Sequence, residues 1–161
     1  MSFELKTPIT GDKLQIYRSL APQIAALVEG ESNTIANLAN FCAVLKSSFG
    51  WLWIGFYLVE GEELVLGPFQ GPVACTRIKK GKGVCGSSWQ SKQIVIVPDV
   101  DAFPGHIACS TQSRSEIVIP LLDDTNNVWA VLDVDSALLN DFDATDSAGL
   151  SECLRPLMAN R

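Results

Sequence analysis

Leu14, Tyr17, Leu20, Ile24 and Leu27 recur at three- and four-residue steps, the spacing that gathers apolar side chains on one face of an α-helix. Pro22 interrupts this stripe and predicts a kink or a split there. Gly30 ends the segment. Ser32 or Asn33 can cap a second helix with the stripe Ile35, Leu38, Cys42, Leu45 and Phe49, and Gly50 stops it. The period then drops to two. Residues 51–59 are dense in aromatic and β-branched side chains and predict a strand carrying Trp51, Trp53, Gly55, Tyr57 and Val59 on one face. A turn at Glu60-Gly61-Glu62 predicts a hairpin returning along residues 63–66. Residues 67–75 hold too much glycine and proline for regular structure and predict a shaped loop ending on Cys75. A short strand over 76–78, a glycine-rich turn around Cys85, a short helix over 87–92 and a buried strand over 94–97 follow.

The stretch Phe103-Pro-Gly-His-Ile-Ala-Cys109 places a thiol in a loop beside His106. After it, Ile117, Ile119 and Leu121 alternate with Glu116, Val118 and Pro120, so a carboxyl group opens the next strand. Residues 123–127 predict a turn, and 128–135 a last strand with Asp133 and Asp135 on one face. Two acids on one face of an apolar strand are costly unless they meet water or a cation. Residues 144–159 close the chain as a helix with Leu150, Cys153, Leu154 and Leu157 inward, capped by Asp143 or Thr145. This order predicts an α+β fold: an antiparallel sheet, N- and C-terminal helices packed on one face, and cysteine-bearing loops at one end.

Composition narrows the function classes. At 161 residues the chain suits one domain, and with 47% hydrophobic residues it can build a core without disulfide staples. A net charge of −6 with no Lys/Arg run argues against nucleic acid as a partner. No apolar run reaches the ~20 residues of a membrane span, and the N-terminus lacks a signal pattern, so a cytoplasmic protein is expected. Five cysteines cannot all pair. Cys42 and Cys153 fall on apolar helix faces and read as inert core, whereas Cys75, Cys85 and Cys109 fall in Gly/Pro loops and read as a thiol redox centre. The Gly81-Lys-Gly83 segment lacks Walker spacing for a phosphate cradle. Cys75, Cys85, Cys109 and His106 have the number of ligands zinc takes but not its usual close cysteine spacing, so no metal or other cofactor is expected.

Taken together, Gly67-Pro-Phe-Gln-Gly-Pro-Val-Ala-Cys75-Thr-Arg-Ile, Gly81-Lys-Gly-Val-Cys85-Gly, Phe103-Pro-Gly-His-Ile-Ala-Cys109, Ser113-Arg-Ser-Glu116-Ile-Val-Ile-Pro and Val131-Leu-Asp133-Val-Asp135-Ser resemble the free methionine-(R)-sulfoxide reductases, a family of stand-alone GAF domains. The resemblance runs from roughly Leu14 to Leu157, with the cysteines spaced by 10 and 24 residues. It implies a single GAF domain over 1–161 that reduces free methionine-(R)-sulfoxide with electrons from a thioredoxin-like reductant. It implies Cys109 as nucleophile, Cys75 as resolving cysteine and Cys85 as a third cysteine able to form an alternative bridge. Glu116, Asp133 and Asp135 become the substrate-binding and catalytic carboxylates, and Trp53 and Tyr57 the aromatic wall for the methyl-sulfur end. The family pattern leaves a monomer or a homodimer open. The chemistry agrees on independent grounds, because a thiolate attacks a sulfoxide sulfur and the resulting sulfenic acid condenses with a second thiol. His106 or Arg114 is expected near Cys109, where a cation would favour the thiolate. Only free methionine sulfoxide carries an ammonium, which an acid cluster can hold. The competing reading is a GAF sensor that binds a ligand or senses redox state without turnover.

Overall fold

The computed structural model describes residues 3–6 and 11–159. Helix α1 (Lys13–Val28) starts at Asp12, whose side chain accepts from the Gln15 N–H at 2.9 Å. Pro22 neither splits nor ends it. It lies on the exposed face of the helix, while Tyr17, Leu20, Ile24 and Val28 stay buried on the other side. Asn33 caps α2 (Thr34–Phe49), and Gly50 ends it in the left-handed region at φ 66°. The buried stripe of α2 is Leu38, Phe41, Cys42, Val44 and Leu45, while Ile35 is exposed.

The strands are β1 (Trp53–Glu60), β2 (Glu63–Gln70), β3 (Arg77–Lys79), β4 (Val95–Val97), β5 (Ser115–Leu122) and β6 (Val128–Ser136). They form one antiparallel sheet in the order β3-β2-β1-β6-β5-β4. Helix α3 (Gly83–Ser91) connects β3 to β4, and α4 (Ala144–Met158) closes the chain behind a capping box of Asp143 and Asp146.

Three expectations change. Strand β2 runs to Gln70, through the Gly/Pro segment read as loop. Tyr57 pairs with Leu66 and Gly55 with Phe69, so one residue of β1, Phe56, faces two of β2, Gly67 and Pro68. The extra residue falls at Gly67-Pro68, a bulge where a missing N–H breaks no regular ladder. Second, Trp51 lies outside β1 and does not share the face of Trp53. It stacks on Phe49 with ring centroids 4.2 Å apart, on the helix side of the sheet. Third, α3 begins at Gly83, so Cys85 lies on a helix instead of in a turn.

The sheet is covered on both faces. On one, α1, α2 and α4 pack on Ile54, Phe56, Ile117, Ile119, Leu132 and Val134, and this core takes in Cys42 and Cys153 with no exposure. On the other, Trp53, Tyr57, Val118 and Val131 meet Val84, Cys85 and Trp89 of α3. The terminal helices occupy one face as predicted, and the second core is what positions the site. Among the described residues no helix is long and apolar enough to cross a membrane.

Candidate active site

Period two puts Glu116 of β5 and Asp133 and Asp135 of β6 on the α3 side of the sheet, because Ile117 and Val134 face the terminal helices. Antiparallel register then brings them together. Glu116 lies opposite Asp135, Val118 opposite Asp133, and on the far side of β6 Trp53 lies opposite Asp135 and Gly55 opposite Asp133. One pocket is lined by all three acids together with Trp53, Tyr57, Cys85, His106 and Cys109.

Both loops that close the pocket carry a cysteine. Cys75 and Cys109 are joined as a disulfide with their Cα atoms 5.3 Å apart. Each is half-buried, which leaves the bridge within reach of an incoming thiol. The Cys75 loop is tied down by the two aromatic side chains of β1. The Trp53 Nε1–H donates to the Pro72 carbonyl at 3.0 Å, and the Tyr57 hydroxyl donates to the Cys75 carbonyl at 2.9 Å. Their rings stack with centroids 6.0 Å apart, and Trp53 also stacks on Phe69 at 5.3 Å. Both side chains line the pocket; their anchoring of the loop was not legible in the sequence, because the aromatic ring and its polar tip act at different places. Gly55 makes room for this stack: a Cβ there would come within 2.4 Å of both the Trp53 ring and the Phe69 Cβ.

Cys85 is a free thiol outside the bridge that lines the same pocket as Cys109. It is buried on the first turn of α3, with its Sγ, one Glu116 oxygen and one Asp133 oxygen all within 4.8 Å of one another. His106 lines the same pocket as Cys109. Its Nε2 lies 3.8 Å from Glu116 Oε2, so its polar partner is the carboxylate. Arg114 is exposed and contributes backbone bonds to Val100 and Ser136. Ser113 is a site residue the sequence did not single out: its hydroxyl donates to Asp135 Oδ1 at 2.5 Å. Its signal was its place two residues ahead of β5, too weak to distinguish it from neighbouring serines.

Burial shapes the acids. Desolvation, reinforced by the charges of Asp133 and Asp135, pushes Glu116 well above the ordinary carboxylate range. Desolvation and the Asp135 charge push Asp133 up as well, with Glu116 and Cys85 contacts offsetting part of the rise. Among the described residues, Asp133 Oδ1 is a buried atom with no hydrogen-bond partner. Asp135 is raised by burial to about 6, held back by the Ser113 hydroxyl. The Cys85 thiol is pushed well up by burial and by the surrounding carboxylates, so it stays neutral. An apolar-walled pocket therefore holds acids that stay protonated at a pH where ordinary carboxylates are ionised, one of them backed by the chain's single histidine. With Cys75 and Cys109 bridged, their sulfurs are unavailable for the zinc set considered from sequence.

Known proteins place this arrangement. The GAF domain family profile matches residues 32–153. The chain is 57% identical over 148 residues to GAF domain-containing protein A of Dictyostelium discoideum, covering 91% of this chain and 93% of that one. It is 43% identical over 147 residues to the free methionine-R-sulfoxide reductase of Escherichia coli, covering 91% and 88%. The crystal structure of free methionine-R-sulfoxide reductase from Neisseria meningitidis in complex with its substrate superposes with a TM-score of 0.95 at 51% identity, covering 99% of this chain and 95% of that one. At this identity and coverage, the chain belongs to the GAF domain family and, within it, to the free methionine-R-sulfoxide reductases.

Proposed function

We propose that this protein reduces free methionine-(R)-sulfoxide to methionine through a sulfenic acid on Cys109. The observation that supports this most directly is a Cys75–Cys109 pair whose Cys109 lines a pocket together with the buried Glu116 and Asp133 and the half-buried Asp135. The Cys109 sulfur attacks the sulfoxide sulfur, oxygen passes to Cys109, and methionine leaves with both electrons of the broken S–O bond. The proton that Cys109 gives up as thiolate is matched by one delivered to the departing oxygen. Glu116 and Asp133, whose raised pKa values keep a proton between them, supply it. Asp135, lower at about 6, ionises first and holds the substrate ammonium. Trp53 and Tyr57 face the methyl-sulfur end. The Cys75 thiol then attacks the sulfenic sulfur, releases water and forms the bridge. A dithiol reductant of the thioredoxin type returns two electrons and two protons. Free thiols at Cys42, Cys85 and Cys153 fit a reducing compartment, and the protein acts in the cytoplasm.

The test is NADPH consumption with thioredoxin, thioredoxin reductase and resolved stereoisomers of free methionine sulfoxide. Turnover of the R isomer is expected. No consumption with either isomer would instead support a GAF sensor, and a preference for the S isomer would overturn the stereochemical assignment.

A further inference from the structure

The sulfur-and-acid cluster on the pocket floor has a use that reduction does not require. Cys85, Glu116 and Asp133 are all buried, and their ligand-type atoms lie within 4.8 Å of one another. Asp133 is 7% exposed, lines the pocket and keeps Oδ1 without a partner among the described residues. His106 Nε2 stands 3.8 Å from the Glu116 carboxylate and lines the same pocket. We infer that Cys85, Glu116, Asp133 and His106 form a zinc site that overlaps the substrate pocket, so that zinc competes with the sulfoxide.

Three of the four donors are already clustered. At a tetrahedral zinc with bonds of about 2.0–2.3 Å, neighbouring donors stand roughly 3.3–3.8 Å apart. The His106–Glu116 spacing is already at the upper end of that range, the Cys85, Glu116 and Asp133 donors must close by up to about 1–1.5 Å, and the His106 ring must turn inward to complete the set. One thiolate, one imidazole and two carboxylates select a borderline ion over the hard cations calcium and magnesium. This set differs from a zinc site made by Cys75 and Cys109, which the disulfide removes. It also leaves little ambiguity, since His106 is the single histidine of the chain and Cys42 and Cys153 are buried in the other core. The inhibitory overlap rests on the proposed placement of substrate on these acids; the metal site itself does not.

Cobalt(II) is the probe, because a thiolate ligand gives a near-ultraviolet charge-transfer band and a tetrahedral site gives strong visible bands. Titrated into the disulfide form without reductant, cobalt should give both bands at one ion per chain, and zinc should displace it. Cys85→Ala should lose the charge-transfer band. His106→Ala, which leaves the core untouched, should weaken binding by more than about tenfold. Absence of the band, or a band that survives in folded Cys85→Ala, would overturn the site. In the inert Cys75→Ser/Cys109→Ser protein, free methionine sulfoxide should displace cobalt. If cobalt binds there and the sulfoxide does not displace it, the zinc site stands, and its overlap with the substrate pocket, together with the placing of substrate on these acids, fails.

Discussion

Cys109 and the two core cysteines differ in what surrounds them. Cys109 sits on a half-buried loop joined to Cys75, while burial pushes Cys42 and Cys153 each up to about 12 and removes them from redox chemistry. Cys109→Ser should therefore abolish methionine release in a single turnover, since a hydroxyl is a far poorer nucleophile toward sulfur. Release above a few per cent of wild type would contradict the nucleophile assignment. Cys42→Ala and Cys153→Ala should keep the activity and cost about 1–2 kcal/mol each by chemical denaturation. The acids make a separate prediction with a defined sign. Glu116, Asp133 and Asp135 have folded-state pKa values above their ordinary ones, so between the two values the folded protein binds more protons than the unfolded chain. Stability contributed by these groups is fully present below the unfolded values and is lost as pH rises through the folded ones. That window opens near the ordinary 3.8–4.5 and continues past the value of about 6 for Asp135. Glu116→Gln cannot lose a proton, so its stability relative to wild type should improve as pH rises above the ordinary Glu value of 4.5 in denaturant titrations. A constant or shrinking difference would show that Glu116 is not held protonated.

The two cysteine loops are useful because rigid strands carry them. Strand β1 fastens the Cys75 loop through Trp53 and Tyr57, and the 103–112 segment runs directly into β5. If Cys75 only resolves, Cys75→Ser should still release about one methionine per enzyme without reductant, while multiple turnovers with thioredoxin slow sharply. Mass spectrometry of the substrate-treated, non-reduced wild type should find the Cys75–Cys109 bridge. A bridge to Cys42 or Cys153, or turnover without any bridge, would refute the resolving role. Residual turnover through Cys85, a free thiol lining the same pocket as Cys109, should disappear in Cys75→Ser/Cys85→Ser. The hairpin itself depends on Gly55, where a Cβ would meet Trp53 and Phe69 at 2.4 Å. Gly55→Ala should displace the Trp53 ring and raise KM for the sulfoxide; an unchanged KM in a folded variant would remove Trp53 from the substrate wall.

We propose that selectivity arises from the assembled pocket, where acids from two strands meet aromatic side chains from a third, Cys109 from a loop and Cys85 from α3. N-acetylation of methionine sulfoxide removes the ammonium, so kcat/KM should collapse for the acetylated compound and for peptide-bound sulfoxide. Comparable efficiency on either would contradict the acid-cluster role. The antiparallel α+β class, the terminal helices, the identity of the inert cysteines and the shared face of Asp133 and Asp135 could all be read from the chain. Each follows from a local period: 3.6 in the helices, two in the strands. The local sequence pointed the wrong way at Gly67-Pro68, because glycine and proline signal a loop wherever they occur, yet a bulge beside β1 absorbs them. It also misjudged Trp51, since a period-two pattern cannot say at which residue the strand starts. The side chains that meet across the pocket were beyond any local pattern. His106 resting on Glu116, Ser113 on Asp135, and Cys85 turned toward the acids depend on how α3 and the 103–112 loop settle on the second face of the sheet. Periodicity specifies which face a residue occupies; long-range packing alone specifies what stands opposite it and how deeply both are buried, and that burial is what shifts the protons.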